Sequence, residues 1–255
     1  MIDLKIENHV ATVTLDRPDA LNAFSYEQLL NLEGIVERIK LEPEARAVIF
    51  TGSGKAFSVG ADLKERKTLT EQEVKRNVSK IRHVFSLVDR LPQPTIAAIN
   101  GFAFGGGMEL ALSCDFRFSA KNAKMGLTET SLAIIPGAGG TQRLPRIVGE
   151  TRALELILTA RRLSAEEARE YGIVSKVVPD ERLLEESRLF AEEMLKNGPI
   201  ALQQAKFAIK NGLNTDLETG MQIEAKAYEV LIPTEDRIEA LNAFSEKRTP
   251  DFKGK

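Results

Sequence analysis

The sequence predicts an α/β protein, a layered or spiral core of strands and helices followed by a helical C-terminal region. Three observations carry this. Over residues 1–135, short apolar or alternating runs take turns with segments of helical period. After Gly137 the pattern is almost wholly helical. Near the centre, Thr95-Ile-Ala-Ala-Ile99 reads as a buried strand and runs into Asn100-Gly-Phe-Ala-Phe-Gly-Gly-Gly-Met-Glu-Leu110, with three consecutive glycines, before a helical pattern resumes at Met108. Glycine in an ordered element costs about 0.5–1 kcal/mol relative to alanine. Three at a strand-to-helix junction point to a backbone that comes very close to something. A helix start also leaves amides unpaired and partly positive, which suits an oxyanion. A tight turn capped by a surface Glu109 is the plainer alternative.

In chain order, Ile2, Leu4 and Ile6, and then Ala11, Val13 and Leu15, alternate with polar residues around Asn8-His9, as an antiparallel pair with one buried face does. Residues 26–41 place Leu29, Leu32, Val36 and Ile39 on one helical face, with Ser25 and Gln28 spaced for a capping box. Arg46 to Thr51 is a short strand ended by Gly52-Ser-Gly54. Residues 71–91 form a second amphipathic helix, with Val74, Val78, Ile81, Phe85 and Val88 inward, stopped by Leu91-Pro-Gln-Pro94. Asp115 to Ser119 alternates again. Helices follow at roughly 140–147, 150–160, 164–171, 181–196, 200–211, 215–230 and 234–245, interrupted by one strand, Ile173 to Val178. Asn197-Gly-Pro199 is a break. It divides residues 1–197, the core that carries the active site, from a helical segment over 198–255 that is too small to hold a large core alone. Its stripe of Leu217, Met221, Ala225 and Tyr228 packs on the core or on another subunit, so 198–255 is read as an oligomerisation segment.

Composition narrows the function. With 43% hydrophobic and 28% charged residues and a net charge of −2, the chain has the balance of a globular protein and no global pull on nucleic acid or anionic membranes. The single Cys114 rules out an internal disulfide and a cysteine-rich metal site, and its apolar helical context is that of a core residue. The N-terminus shows no signal-peptide pattern and no apolar run reaches the roughly 20 residues of a membrane span, so a cytoplasmic protein is expected. His9 in a turn and His83 on the polar side of a helix are the only histidines, which leaves a Ser-His-Asp triad and a zinc site unsupported. Lys75, Arg76, Lys80 and Arg82 alternate with acids and read as a solvated face.

Four stretches could carry chemistry. The first is the glycine turn with Glu109. In the second, Lys55-Ala-Phe-Ser-Val-Gly-Ala-Asp-Leu63, Asp62 is placed to cap a short helix and the amides after Gly60 could donate to an oxyanion. The third, Met125 to Pro136, holds Glu129 among polar and apolar residues. The fourth, Pro136-Gly-Ala-Gly-Gly-Thr-Gln-Arg143, looks like a phosphate cradle but matches neither dinucleotide nor P-loop spacing. Two carboxylates beside two oxyanion donors would suit proton chemistry next to a carbonyl or thioester. Spacing alone does not bring Glu109 and Glu129 together.

The ordered set Ala56-Phe-Ser-Val-Gly-Ala-Asp62, Asn100 to Leu110, Ile135-Pro-Gly-Ala-Gly-Gly-Thr-Gln-Arg-Leu144, Leu163-Ser-Ala-Glu-Glu-Ala168 and Ala243-Phe-Ser-Glu-Lys-Arg248 resembles the enoyl-CoA hydratase/isomerase (crotonase) family over essentially the whole chain. The resemblance implies a spiral of β-β-α units with a helical C-terminal region, assembled as trimers paired into hexamers. It maps the oxyanion donors to the amides of Ala61 and Gly106 and the two glutamates of hydratases to Glu109 and Glu129. It also places Val59, Asp62 and Gly137 against the CoA ester. The implied reaction is syn addition of water across a trans-2-enoyl-CoA to give a 3-hydroxyacyl-CoA. No metal or other cofactor is implied, CoA being part of the substrate. Met125 to Gly137 is especially similar to the methylglutaconyl-CoA hydratase branch, some members of which bind RNA through a lysine-rich first helix. Here residues 26–41 hold one lysine, Lys40, beside Glu27, Glu33 and Glu37, which argues against RNA. The rivals are an isomerase of the same fold and an inactive or RNA-binding paralogue, the latter opposed by the paired glutamates.

Overall fold

The computed structural model describes residues 1–255. It contains two sheets. The larger is built from β1 (Ile2–Glu7), β2 (Val10–Leu15), β3 (Ala47–Gly52), β5 (Thr95–Ile99), β7 (Phe116–Ala120) and β10 (Lys176–Val178), in the order β1-β2-β3-β5-β7-β10. The smaller has β4 (Ala56–Ser58), β6 (Phe102–Phe104), β8 (Lys124–Gly126) and β9 (Leu163–Ser164). Strand pairing is parallel except for β1 on β2 and β9 on β8. The first hairpin turns through Asn8 and His9, both at positive φ, as two-residue hairpin loops require. β3 and β5 are buried along nearly their whole length, which explains their continuous apolar character.

The spiral follows from how the chain divides between the sheets. After an opening turn of β1, β2 and α1 (Tyr26–Leu41), each of the next three turns lays one strand in the large sheet and a three-residue strand in the small one, then leaves through a helix. β3 and β4 lead to the short α2 (Leu63–Arg66) and to α3 (Glu71–Asp89). β5 and β6 lead to α4 (Gly106–Ser113), and β7 and β8 lead, through a 3-10 turn at Glu129–Leu132, to α5 (Gly140–Val148). α1 buries Leu29, Leu32, Val36 and Ile39 against α3, with Phe24 edge-on to Phe85 at 5.4 Å. The remaining helices are α6 (Glu150–Leu158), α7 (Ala165–Glu170), α8 (Leu183–Leu195), α9 (Pro199–Gly212), α10 (Leu217–Leu231) and α11 (Glu235–Glu246). The continuous hydrophobic core runs from Ile2 to Ala191 and takes no residue from α9, α10 or α11.

Several expectations change. The small sheet was invisible to periodicity, because strands of two or three residues carry no alternation. The strand expected over 173–178 shrinks to Lys176–Val178. Ser25 accepts from the Gln28 amide, but only the forward half of the capping box forms. Val74 and Val78 are half-buried and face a cleft, while Val84 fills the core. Leu217, Met221, Ala225 and Tyr228 are exposed, so their stripe does not pack on the chain's own core. Of the four basic residues on α3, Lys80 pairs with Glu33 of α1 and Arg82 donates to the Gly137 carbonyl.

Asn22 joins the spiral's first turn to its second. It is 3% exposed, and its Nδ2 donates to the carbonyls of Ser53 (2.9 Å) and Ala56 (2.7 Å) while its Oδ1 accepts from the Arg17 amide (2.8 Å). It also sits at φ 56°, where asparagine is tolerated better than alanine. Asn22→Ala should therefore lower unfolding stability by about 1–3 kcal/mol, the penalty for stranding buried partners. Urea titration checks this, and a midpoint equal to wild type would contradict it.

Candidate active site

Two backbone amides meet where the smaller sheet abuts α4. Phe24 and Ala61 form a parallel bridge in which the Phe24 amide donates to the Gly60 carbonyl (2.8 Å) and the Asp62 amide donates to the Phe24 carbonyl (2.9 Å). Extended backbone alternates its donors, so the Ala61 amide points the other way, and it has no acceptor in the chain. Gly106, the first residue of α4, faces it. A Cβ built on Gly106 would lie 3.6 Å from the Ala61 nitrogen, and one built on Gly60 would lie 2.7 Å from the Gly106 nitrogen. As the first helical residue, Gly106 has no acceptor within its own helix. Gly60 has φ +89°, and a Cβ on Gly107 would fall 1.9 Å from the Ser58 carbonyl oxygen. Side chains are therefore excluded from this junction. Asp62 then caps α2 through the amides of Lys64 (2.9 Å) and Glu65 (3.2 Å), and Arg17 grips its other oxygen at 2.7 Å.

Both glutamates open into the same cleft, of about 1760 Å³, whose walls include Ala61, Gly106, Val74, Val78 and Ile81. Val59, Asp62 and Gly137 line it too. Glu109 lies one turn into α4 and is 3% exposed. Its Oε1 accepts from the amides of Ala138 (2.7 Å) and Gly140 (2.9 Å). The loop that looks like a phosphate cradle in sequence thus gives its amides to the chain's own carboxylate. Glu129 opens a single 3-10 turn and is 8% exposed. Its neighbour Thr130 fastens that turn to the Ile157 carbonyl at 2.6 Å. Glu129 Oε1 would be 3.4 Å from a Cβ on Gly105, and its Oε2 is buried without a hydrogen-bond partner.

The two acids are tuned differently. Burial pushes Glu109 above the usual carboxylate range, but the Gly140 and Ala138 amides, then Arg143 and Arg82, oppose it by favouring the ionised form. Glu129 has no amide donor from another residue, only the opposing influence of its own backbone amide. Burial, with the nearby Glu109 charge, pushes it up to about 7. Elsewhere, burial pushes Cys114 up to about 12, so its thiol is an inert core group. No group of three or more His, Cys, Asp or Glu side chains is arranged to hold a metal ion. No helix is long and apolar enough to cross a membrane.

The raised Glu129 value makes a stability prediction. A carboxyl that holds its proton more tightly when folded contributes its full stability below the unfolded value near 4.5 and loses it as pH rises through about 7. Glu129→Gln removes that dependence. Relative to wild type, the variant should gain stability between pH 5 and pH 8, as measured by urea unfolding at both. An unchanged difference would mean that Glu129 titrates normally.

Known proteins corroborate the frame in which these residues sit. The model of the enoyl-CoA hydratase/isomerase family matches residues 5–255. The crystal structure of an enoyl-CoA hydratase from Bacillus anthracis is 54% identical and superposes with a TM-score of 0.98, covering 100% of this chain and 99% of that one. The Bacillus subtilis protein YngF, provisionally named an enoyl-CoA hydratase/isomerase, is 55% identical over 247 residues, 96% of this chain and 95% of its own. Human mitochondrial methylglutaconyl-CoA hydratase is 45% identical over 257 residues, 98% of this chain and 76% of its own. With the family's pattern spanning the chain and its fold reproduced end to end, this protein belongs to the enoyl-CoA hydratase/isomerase family.

Proposed function

We propose that the protein is an enoyl-CoA hydratase, adding water syn across a trans-2-enoyl-CoA. The observation that carries this is the convergence of two buried carboxylates, Glu109 and Glu129, on one cleft beside the amides of Ala61 and Gly106. The thioester oxygen accepts from those two amides, with Val59, Asp62 and Gly137 lining its approach. Glu109, whose ionised form is favoured by two amides, takes a proton from water as the water oxygen bonds to C3. The resulting enolate charge rests on the thioester oxygen. Glu129, with a pKa of about 7, still holds a proton near neutral pH and delivers it to C2. One water is added in all, and the cycle resets when the proton taken by Glu109 passes to Glu129. The reading uses no metal or redox group, and CoA enters only as part of the substrate. The similarity to methylglutaconyl-CoA hydratase makes a branched, carboxylated enoyl-CoA the second substrate to try.

Glu109→Gln and Glu129→Gln should each retain the fold and ester binding while losing about 10²–10⁴-fold in hydration, the usual contribution of a general acid or base. Because both act on one water, the double variant should lose less than the product of the singles. Decay of the conjugated thioester absorbance, over a panel of straight, branched and carboxylated esters, measures this, with circular dichroism as the folding control. A single variant hydrating near the wild-type rate defeats the two-carboxylate mechanism. Retained isomerisation of a 3-enoyl-CoA by that variant points to an isomerase, which needs one carboxylate.

We also infer a homo-oligomer, a hexamer of paired trimers. α10 exposes Leu217, Met221 and Tyr228 and α11 exposes Leu241 and Phe244, each more than half exposed, and apolar helix faces left open in this way mark association surfaces. Light scattering at micromolar concentration should give about six chain masses of 28.2 kDa. A stable monomer would rule the assembly out.

A further inference from the structure

A chain of polar contacts leads from the C-terminal helices to the glutamate on α4. Arg143 of α5 donates through Nη1 to the Ala138 carbonyl at 2.9 Å, and the Ala138 amide in turn donates to Glu109. The other arm of Arg143 reaches Asp89, the last residue of α3, at 3.3 Å. Lys210 of α9 holds the second oxygen of Asp89 at 2.6 Å and also pairs with Asp115 at 2.8 Å. Asp115 is fixed further by Lys206 (2.6 Å) and by the Thr95 amide (2.8 Å). Arg143, Asp115 and Lys206 are largely buried, with side chains 18%, 12% and 11% exposed, and Asp89 and Lys210 are 34% exposed.

The segment this chain grips cannot hold itself. Residues 137–140 read Gly-Ala-Gly-Gly, and Gly139 lies at φ +109°. Such a segment has many backbone states, yet two of its amides must point at one carboxylate oxygen. Arg82 fixes the Gly137 carbonyl at 3.0 Å and Arg143 fixes that of Ala138. A free guanidinium samples many rotamers. One held by a carboxylate that is itself paired with a lysine does not.

We propose that Asp89 and Lys210 are positioning residues for the reaction: through Arg143 they hold the Gly137–Gly140 segment so that its amides orient Glu109. The segment over 198–255 thereby acts on the chemistry as well as on assembly. This rests on the reading of Glu109 as the base. The charged groups that face Glu109 are Glu129, Arg143 from α5 and Arg82 from α3. Asp89 and Lys210 line the same cleft but make no hydrogen bond or ion pair with Glu109, and they reach it through Arg143.

The test is kinetic, on the full-length protein, with the trans-2-enoyl-CoA that wild type hydrates fastest. Asp89→Asn should lower kcat about 10–100-fold, the usual result of a small misplacement of a catalytic group, with KM within about twofold. Lys210→Met should lower kcat in the same direction, and in the Asp89→Asn background it should have little further effect. Arg143→Met removes both the grip on Ala138 and a cation near Glu109. Both losses disfavour the ionised acid, so the acidic limb of the kcat/KM profile should move to higher pH. Circular dichroism controls for folding, and where Asp89→Asn does not fold, Lys210→Met alone and the Arg143→Met profile decide. Wild-type kcat in folded Asp89→Asn, fully multiplicative effects of the two changes, or a loss confined to KM would each overturn the proposal. Glu109→Gln, run in parallel, separates the two readings. If it is inactive while Asp89→Asn is normal, only the relay fails. If it is active, Glu109 is not the base.

Discussion

The structure depends on one place where backbone meets backbone with no side chain between. At the Ser58–Gly107 contact a methyl group would fall 1.9 Å from a carbonyl oxygen. That approach lets the smaller sheet end directly against the start of α4. The pair of unpaired amides inherits its position from it. Gly60 can then turn at positive φ, the Ala61 amide is left unpaired, and the first amide of α4 is brought beside it. Two donors a short distance apart would normally be satisfied by water or by a carbonyl. Here neither has an acceptor within the chain, and a buried helix start adds partial positive charge to one of them.

The acids are held by weaker means, and that difference gives them different chemistry. Glu109 stands on a fully buried helix but takes its orientation from a glycine-rich segment pinned by two arginines. Glu129 stands on a single 3-10 turn and has one oxygen with no partner. Burial favours the neutral form of both carboxyls, opposed at Glu109 by two amides from the neighbouring segment and at Glu129 only by its own backbone amide. Burial raises both side chains, and the amides on Glu109 oppose that rise, so two identical residues in one cleft are tuned by different partners, the kind of difference an acid–base pair uses.

Much of this was legible in the sequence, and the gaps have physical causes. The large sheet and its helices announced themselves because each buries a continuous or periodic apolar face, as Ile49, Ile96, Leu32 and Ile81 do. The small sheet did not, because its strands are too short to show a period and exist only through pairing with distant segments. The glycine triple and both glutamates could be singled out as residue types. Their convergence could not, because 19 residues of chain lie between Glu109 and Glu129 and the tertiary path closes that distance. The loop over 136–143 misled in an instructive way. Its amides do bind an anion, but the anion is Glu109 of the same chain. The arginines were read as solvated or left unread, since nothing local marks Arg82 or Arg143 as a brace for a distant carbonyl.

The division between a fixed backbone pair and adjustable acids bears on why one family name joins hydratase to isomerase. The amides of Ala61 and Gly106 depend on glycines that no side chain can replace without displacing backbone. Such a feature changes all at once or not at all. Glu129 depends on a short turn held through Thr130 and on an Oε2 that no group of the chain pairs with. A substitution there alters the proton inventory of the cleft while leaving the core from Ile2 to Ala191 intact. The part that would hold a thioester oxygen is thus the costly part to change, and the part that would decide what happens next to the carbonyl is the cheap one. Chemistry can diversify on such a frame through single peripheral residues. In this chain both carboxylates are present and buried, the arrangement a two-acid reaction needs.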